Sequence, residues 1–292
     1  MKFITYSQGG KERPGVLCTD GSRIHRLEGY GTLQDFIADY YPNGCVRALE
    51  LSKKDGGIPL CDVSLEAPIP IPKRDVICIG QNYLAHALES HRAAGTEYKP
   101  LERPTYFIKR VSRAVKPGGE IPAHSGLTQK LDYEAELAVI IGKRCTKVAK
   151  EDVFPYIFGY TIANDVSARD IQRGYGGQWA FGKSLDGCAP MGPWIVTADE
   201  LQSPPVLKIT ARVNGEGRQE GRTDDFIFDI PHIVSELSRG ITLMPGDIIM
   251  TGTPSGVGMG FDPPKFLRPG DVVECEIEGI GVLRNVVGDS NA

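Results

Sequence analysis

The chain lacks the features that mark several large protein classes. No apolar run approaches the ~20 residues needed to cross a bilayer as a helix. The first residues, Met1-Lys2-Phe3-Ile4-Thr5-Tyr6-Ser7, carry no signal-peptide core. Lys and Arg are scattered without a basic stripe and the formal net charge is −4, which argues against nucleic acid or an anionic membrane as a partner. There is no C-x-x-C pair. The seven cysteines (Cys18, Cys45, Cys61, Cys78, Cys145, Cys188, Cys275) form an odd set, several inside apolar runs. They read as reduced core residues in a cytosolic protein rather than a disulfide framework. No G-x-G-x-x-G opens a helix, and the glycine-rich stretch Thr251-Gly252-Thr253-Pro254-Ser255-Gly256-Val257-Gly258 has no closing Gly-Lys-Ser/Thr. Dinucleotide and P-loop chemistry are thereby set aside. A carboxylate-binding turn suits that stretch better.

What is present is glycine (35), proline (21) and many short apolar runs in a chain of 292 residues, a β-rich pattern with few long helices. Helices are expected over residues 33–40, 83–92 and 230–239, the last capped by Asp229 with Pro231 in its first turn. The extended segment Ala67-Pro68-Ile69-Pro70-Ile71-Pro72 suggests a boundary between a small N-terminal β-rich unit, residues 1–70, and a larger one, residues 74–288. Pro245-Gly246-Asp247 and Pro269-Gly270-Asp271 each precede an apolar run and read as turns entering strands.

The chemistry concentrates in acidic residues. Glu134 and Glu136 lie two apart in Asp132-Tyr133-Glu134-Ala135-Glu136-Leu137, so on a strand they share a face roughly 7 Å apart. Asp165 ends the apolar run 157–164 and can supply a third oxygen. A Glu-x-Glu pair fits a solvated strand face as well. Here the same face continues into apolar Ala138 and Ile140, and like charges entering a buried face require a cation between them. Three carboxylates without Cys or His describe a hard-cation site, Mg²⁺ or Mn²⁺. His86 and Glu89, three apart on the second expected helix, share a face and form a candidate base with its orienting carboxylate. Such pairs also occur on surface helices. Lys183, in Phe181-Gly182-Lys183-Ser184, fits either a buried anion partner or an exposed turn.

Taken together, residues 74–288 resemble the fumarylacetoacetate hydrolase family. The resemblance rests on Ile79-Gly80-Gln81-Asn82-Tyr83 with His86 and Glu89, the Asp132–Leu137 segment, Gly159-Tyr160 through Asn164-Asp165 to Ala168-Arg169-Asp170-Ile171-Gln172, Gly182-Lys183-Ser184, and the Thr251–Gly258 segment. It implies an α+β fold, a mixed β-sandwich roll with peripheral helices, and a homodimer. It implies Mg²⁺ or Mn²⁺ on Glu134, Glu136 and Asp165, a water-activating or proton-transferring His86–Glu89 dyad on a lid that closes over substrate, and Lys183 stabilising an enolate or oxyanion; residues 88–100 are expected to be mobile without ligand and to order with it. Gln172, Gly252 and Thr253 become substrate-binding residues, Thr253 at a carboxylate, while Arg169 and Asp170 support the site from behind. Gln81, where many relatives carry Arg or Lys, and Arg110, where a Pro often follows the Lys, depart from the pattern. The implied activity is cleavage of a C–C bond in a small 2-oxo acid, as decarboxylation of an oxaloacetate-like acid or hydrolysis of an acylpyruvate, through a metal-stabilised enolate. Isomerisation or tautomerisation is the alternative, and a metal-binding protein without turnover a third.

Overall fold

The computed structural model describes residues 1–289. Its short apolar runs pair into two main sheets. The larger has eleven strands. In order they are Ile58–Pro59, Arg23–Arg26, Lys11–Leu17, Lys2–Gln8, Met191–Thr197, Ile157–Asn164, Ala135–Ile141, Ile248–Met250, Val76–Gly80 and Thr105–Lys109, with Ser64–Leu65 paired to Lys2–Gln8 off this path. Only Ile248–Met250 against Val76–Gly80 is parallel; the other pairings in this sheet are antiparallel. The second sheet orders Glu216–Arg222, Lys208–Val213, Val272–Ile277, Gly281–Gly288 and Glu120–Pro122.

Strand alternation explains the layering. Along Ala135–Ile141 every residue is buried. Leu137, Val139 and Ile141 enter a core shared with Ile209, Ala211, Val273 and Cys275 of the second sheet and with Ile233, Val234 and Leu237 of the helix Ile230–Gly240. Ala138 and Ile140 point the other way, into a core with Phe3, Val16, Leu33, Phe36 and Ile37. The central strand is therefore apolar on both faces, which is why its sequence reads as a run with acidic residues only at its start. The α+β sandwich expected from the sequence is what forms.

The N-terminal residues are continuous with this frame. Lys2–Gln8 pairs with Met191–Thr197, Phe3 opposite Ile195. Residues 67–72 have no regular secondary structure, as their prolines demand, yet Ala67 and Ile69 are buried. Thr5 Oγ1 donates to Pro68 O at 2.7 Å. The proline-rich stretch is thus a packed strap under the sheet, not a solvated linker.

Helices form close to where expected. Leu33–Ala38 starts with a capping box between Thr32 and Asp35. Leu84–Ala94 ends on Gly95 in the left-handed region. In Ile230–Gly240, Asp229 accepts from His232 N at 2.8 Å. Three further helices, Cys45–Ser52, Arg169–Gly174 and Ala180–Lys183, were not anticipated. The last two are too short to show a helical period and sit in glycine-rich sequence. Both Pro-Gly-Asp turns form, with Gly246 and Gly270 at φ +86° and +90°. Asp247 and Asp271 accept from Met244 N and Arg268 N, each at 2.8 Å.

Candidate active site

The acidic residues sit where the central strand begins. Glu134 directly precedes Ala135–Ile141, and Asp165 directly follows its neighbour Ile157–Asn164. Asp165 N donates to Glu134 O at 2.9 Å and Glu134 N to Asn164 Oδ1 at 2.9 Å, so one backbone bond and one to the Asn164 side chain fix their separation. Glu134, Glu136 and Asp165 are all buried, and each offers an oxygen within 4.8 Å of the others. The sequence-predicted trio is brought together.

Protein cations neutralise this cluster in part. Lys183 Nζ lies 2.6 Å from Glu134 Oε2 and 2.7 Å from Asp165 Oδ2. Lys109 Nζ lies 2.8 Å from the other Asp165 oxygen and also reaches the carbonyls of Val166 and Lys183. Arg169 pairs with Glu134 at 2.7 Å and with Asp132 at 2.9 Å. Burial works to raise the Glu134 carboxyl, but Lys183, Arg169 and His86 outweigh it and hold it well below the usual range. Burial would lower the Lys183 ammonium; Asp165 and Glu134 instead keep it firmly protonated.

Glu136 is the exception. It has no cationic partner among the described residues, and its hydrogen bond from protein is Gly252 N–H at 2.8 Å. Burial, then Asp165 and Glu134, push its carboxyl well above the usual range. A buried carboxylate facing two others without a counter-charge is what a hard cation would resolve, and an all-oxygen donor set suits Mg²⁺ or Mn²⁺. The residues present fit the ion.

The dyad forms on the helix Leu84–Ala94. His86 Nδ1 lies 3.2 Å from Glu89 Oε2, and His86 Nε2 lies 3.4 Å from Ser90 Oγ. Both His86 and Glu89 are buried. Glu89 Oε1 accepts from Gly256 N at 2.9 Å, which locks the helix against the glycine-rich segment. Gly260 lies directly beneath: a Cβ there would come within 2.0 Å of Glu89 Oε1. The glycines of 252–260 therefore make room for closely packed neighbours, the side chains of Asn82 and Glu89 and the backbone of Arg218 and Lys265.

One cavity of about 170 Å³ joins these groups; its walls include His86, Glu134, Glu136, Gln172, Lys183 and Thr253. The roles expected of three residues acquire detail here. Thr253 lines the cavity, but its hydroxyl donates to Ala135 O at 2.9 Å and accepts from Gln219 Nε2 at 2.7 Å. Gly252, at φ +97°, commits its N–H to Glu136. Gln172 Oε1 accepts from Arg169 Nη1 at 3.1 Å, which orients its amide. Of the two departures, Gln81 is a cavity-wall residue at φ +57°, whereas Arg110 is exposed.

Four participants were missed. Lys109 ends the strand Thr105–Lys109 as its one fully buried position; a Lys after an apolar triplet was the available signal. Asp132 receives Gly258 N and Met259 N besides Arg169. Trp179 packs over Gly80, where a Cβ would come within 2.4 Å of its ring. Arg173 lines the cavity and donates to Ser90 O at 3.2 Å. Burial and the nearby Arg169 lower its pKa.

Comparison with known proteins agrees with this geometry. The family model described as fumarylacetoacetate (FAA) hydrolase C-terminal matches residues 75–288. The chain is 49% identical over 229 residues to oxaloacetate tautomerase YisK of Bacillus subtilis, covering 78% of this chain and 74% of that protein. The fumarylacetoacetate hydrolase from psychrophilic Exiguobacterium antarcticum superposes with a TM-score of 0.85 at 40% identity, over 99% of this chain and 100% of that one. The 5-carboxymethyl-2-hydroxymuconate delta-isomerase from Mycobacterium smegmatis gives a TM-score of 0.75 at 32% identity, over 99% of each chain.

Proposed function

The chain belongs to the fumarylacetoacetate hydrolase family, whose members are enzymes, and from that premise we propose that it tautomerises a small 2-oxo acid of the oxaloacetate type. The carrying observation is that His86, Glu134, Glu136 and Lys183 line one cavity of about 170 Å³. That volume is below the roughly 300–1,000 Å³ of drug-sized pockets and suits a compact acid. The 49% identity to an oxaloacetate tautomerase points the same way.

A divalent cation on Glu134, Glu136 and Asp165 would supply Lewis-acid polarisation to a chelating 2-oxo acid. The chain's own groups do the rest. A carboxylate at Nδ1 favours the imidazole tautomer protonated there, which leaves His86 Nε2, beside the Ser90 hydroxyl, unprotonated and able to carry the proton between the enol oxygen and the carbon beside the ketone. Lys183, protonated and cavity-lining, stabilises negative charge as it builds on the 2-oxo oxygen. The helix Leu84–Ala94 closes over the substrate and excludes water. Gln172, Gly252 and Thr253 remain our assignments for substrate contact, Gly252 by fixing Glu136.

C–C cleavage is the second reading, favoured by the His86–Glu89 pair, which could equally activate a water. The test is to follow enol-oxaloacetate by ultraviolet absorbance with Mg²⁺, Mn²⁺ or chelator, and to assay pyruvate in the same samples. Faster enol decay without pyruvate supports tautomerisation. Pyruvate formed in step with substrate loss supports cleavage. Neither change, with either metal, overturns both.

This reading includes a homodimer in the cytoplasm. Exposed Tyr175 and Phe181, whose rings meet edge to face, offer apolar surface for assembly, to be checked by light scattering. No helix among the described residues is long and apolar enough to cross a membrane. It also treats residues 1–70 as a small unit beside the catalytic one, 74–288, in keeping with the family match over 75–288, though the two share a sheet.

A further inference from the structure

The short helix Arg169–Gly174 presents three polar residues to the cavity: Arg169, Gln172 and Arg173, spaced i, i+3, i+4 and hence on one face. The two arginines differ in their partners. Arg169 is buried and its charge is answered by Asp132 and Glu134. Arg173 has no ion pair among the described residues. Its Nη2 donates to two neutral acceptors, Ser90 O at 3.2 Å and Met259 Sδ at 3.3 Å. Arg169 adds a second open donor, since its Nη2 is buried without a hydrogen-bond partner. The cavity thus holds a carboxyl without a cationic partner at Glu136 and an unanswered guanidinium at Arg173.

A cation at the acidic trio satisfies the first and leaves the second. A monocarboxylic 2-oxo acid has no group to offer Arg173. A dicarboxylic one does, and a guanidinium whose Nη2 is engaged still has N–H donors for a carboxylate, in the planar geometry that favours bidentate pairing. We propose that Arg173 binds the far carboxylate of a dicarboxylic 2-oxo acid and so selects dicarboxylates over monocarboxylates of similar size. Its bond to Ser90 O also ties this recognition to the helix that carries His86, so a bound far carboxylate holds the lid in register with the body. The inference rests on the 2-oxo acid reading above and narrows it.

The test uses the intact protein with Mg²⁺ and two non-enolisable probes in calorimetry. Oxalate occupies the chelating position alone; 3,3-difluorooxaloacetate adds the far carboxylate. Arg173→Gln is expected to weaken difluorooxaloacetate by about ten- to a hundredfold, the loss of a charge-assisted bond, and to change oxalate by less than about twofold. Arg173→Lys should recover part of the loss, and KM for oxaloacetate should rise more than kcat falls. Equal weakening of both probes, or of neither, overturns the role of Arg173 while leaving the 2-oxo acid reading intact. Wild-type protein that binds neither probe overturns both.

Discussion

Lys183 Nζ stands 2.7 Å from Asp165 Oδ2, with Glu134 Oε2 on its other side at 2.6 Å. A protein cation thus bridges two of the three carboxylates and leaves Glu136 alone. The lysine expected to face substrate is also the one that lets the acidic trio assemble in a folded chain. The charge balance of the buried cluster depends on this one ammonium group.

Replacing that ammonium should therefore cost more than a catalytic step. In Lys183→Met, Glu134 and Asp165 lose a fully buried partner, a loss worth about 3–5 kcal/mol. The metal-free variant should melt well below the wild type, and added Mg²⁺ should raise its Tm more than it raises the wild type's. Thermal scans in chelator and in Mg²⁺ check this. Identical Mg²⁺ responses would show that Lys183 and the cation do not share the same charge.

Glu136→Gln separates the two effects in the opposite sense. Glu136 has no cationic partner among the described residues and faces Asp165 and Glu134, so a neutral amide there replaces a carboxyl whose ionisation burial and both neighbours oppose. The metal-free variant should be as stable as the wild type or more so. Loss of outer ligand partners already weakens metal sites by about 10–100-fold, so loss of a direct ligand should reach at least the upper end. Calorimetry with Mg²⁺ and Mn²⁺ reads the affinity; an unchanged value removes Glu136 from the ligand set.

The paired glutamates and the dyad were legible because each follows a short local period. Glu134 and Glu136 obey the strand period of two, and His86 and Glu89 the helical i, i+3 spacing. Asp165 entered through the end of an apolar run. Lys109, Asp132 and Arg173 were not legible as site residues. Their partners lie in other elements, Asp165 56 residues from Lys109 and Ser90 83 residues from Arg173, and no local pattern records such pairings. The packing of the proline-rich strap was not legible for a related reason. Proline fixes an extended path but does not say whether that path is solvated, and here Thr5 and Ala114 anchor it to the body.

Gly260→Ala should disable the dyad without touching the metal. A Cβ at this position would fall within 2.0 Å of Glu89 Oε1, and Glu89 is what orients His86. Losing a positioned base should lower kcat by about 10²–10⁴-fold. Metal affinity should stay at the wild-type value. A variant with normal kcat would show that Glu89 is not needed where the structure places it.

Acid should loosen the helix that carries Gln172 and Arg173. Asp170 is partly buried, which raises its carboxyl pKa, but the Thr128 hydroxyl at 2.5 Å and the amides of Gln129 and Ile171 at 3.1 and 3.0 Å bring it below the usual value. A carboxyl whose folded pKa is depressed contributes stability above its unfolded pKa of about 3.9 and loses it as pH falls through the folded value. The wild type should therefore lose stability below about pH 4 more steeply than Asp170→Asn. Denaturant melts between pH 3 and 6 compare the slopes. Parallel slopes would mean that Asp170 is not held ionised by these donors.

The lid makes the last prediction. Two hydrogen bonds tie the helix Leu84–Ala94 to the body across the cavity, Gly256 N to Glu89 and Arg173 Nη2 to Ser90 O. Its outer face is exposed at Leu84 and Leu88, so little apolar burial supplements those bonds. After Gly95, residues 96–104 have no regular secondary structure. Elements with few buried contacts open at low free-energy cost. Amides of residues 88–100 should exchange rapidly in the free enzyme and slow when Mg²⁺ and oxalate fill the cavity, while those of Ala135–Ile141 stay protected throughout. Equal exchange in both states would mean that the helix is a fixed wall, and His86 would then have to meet its substrate through a permanent opening.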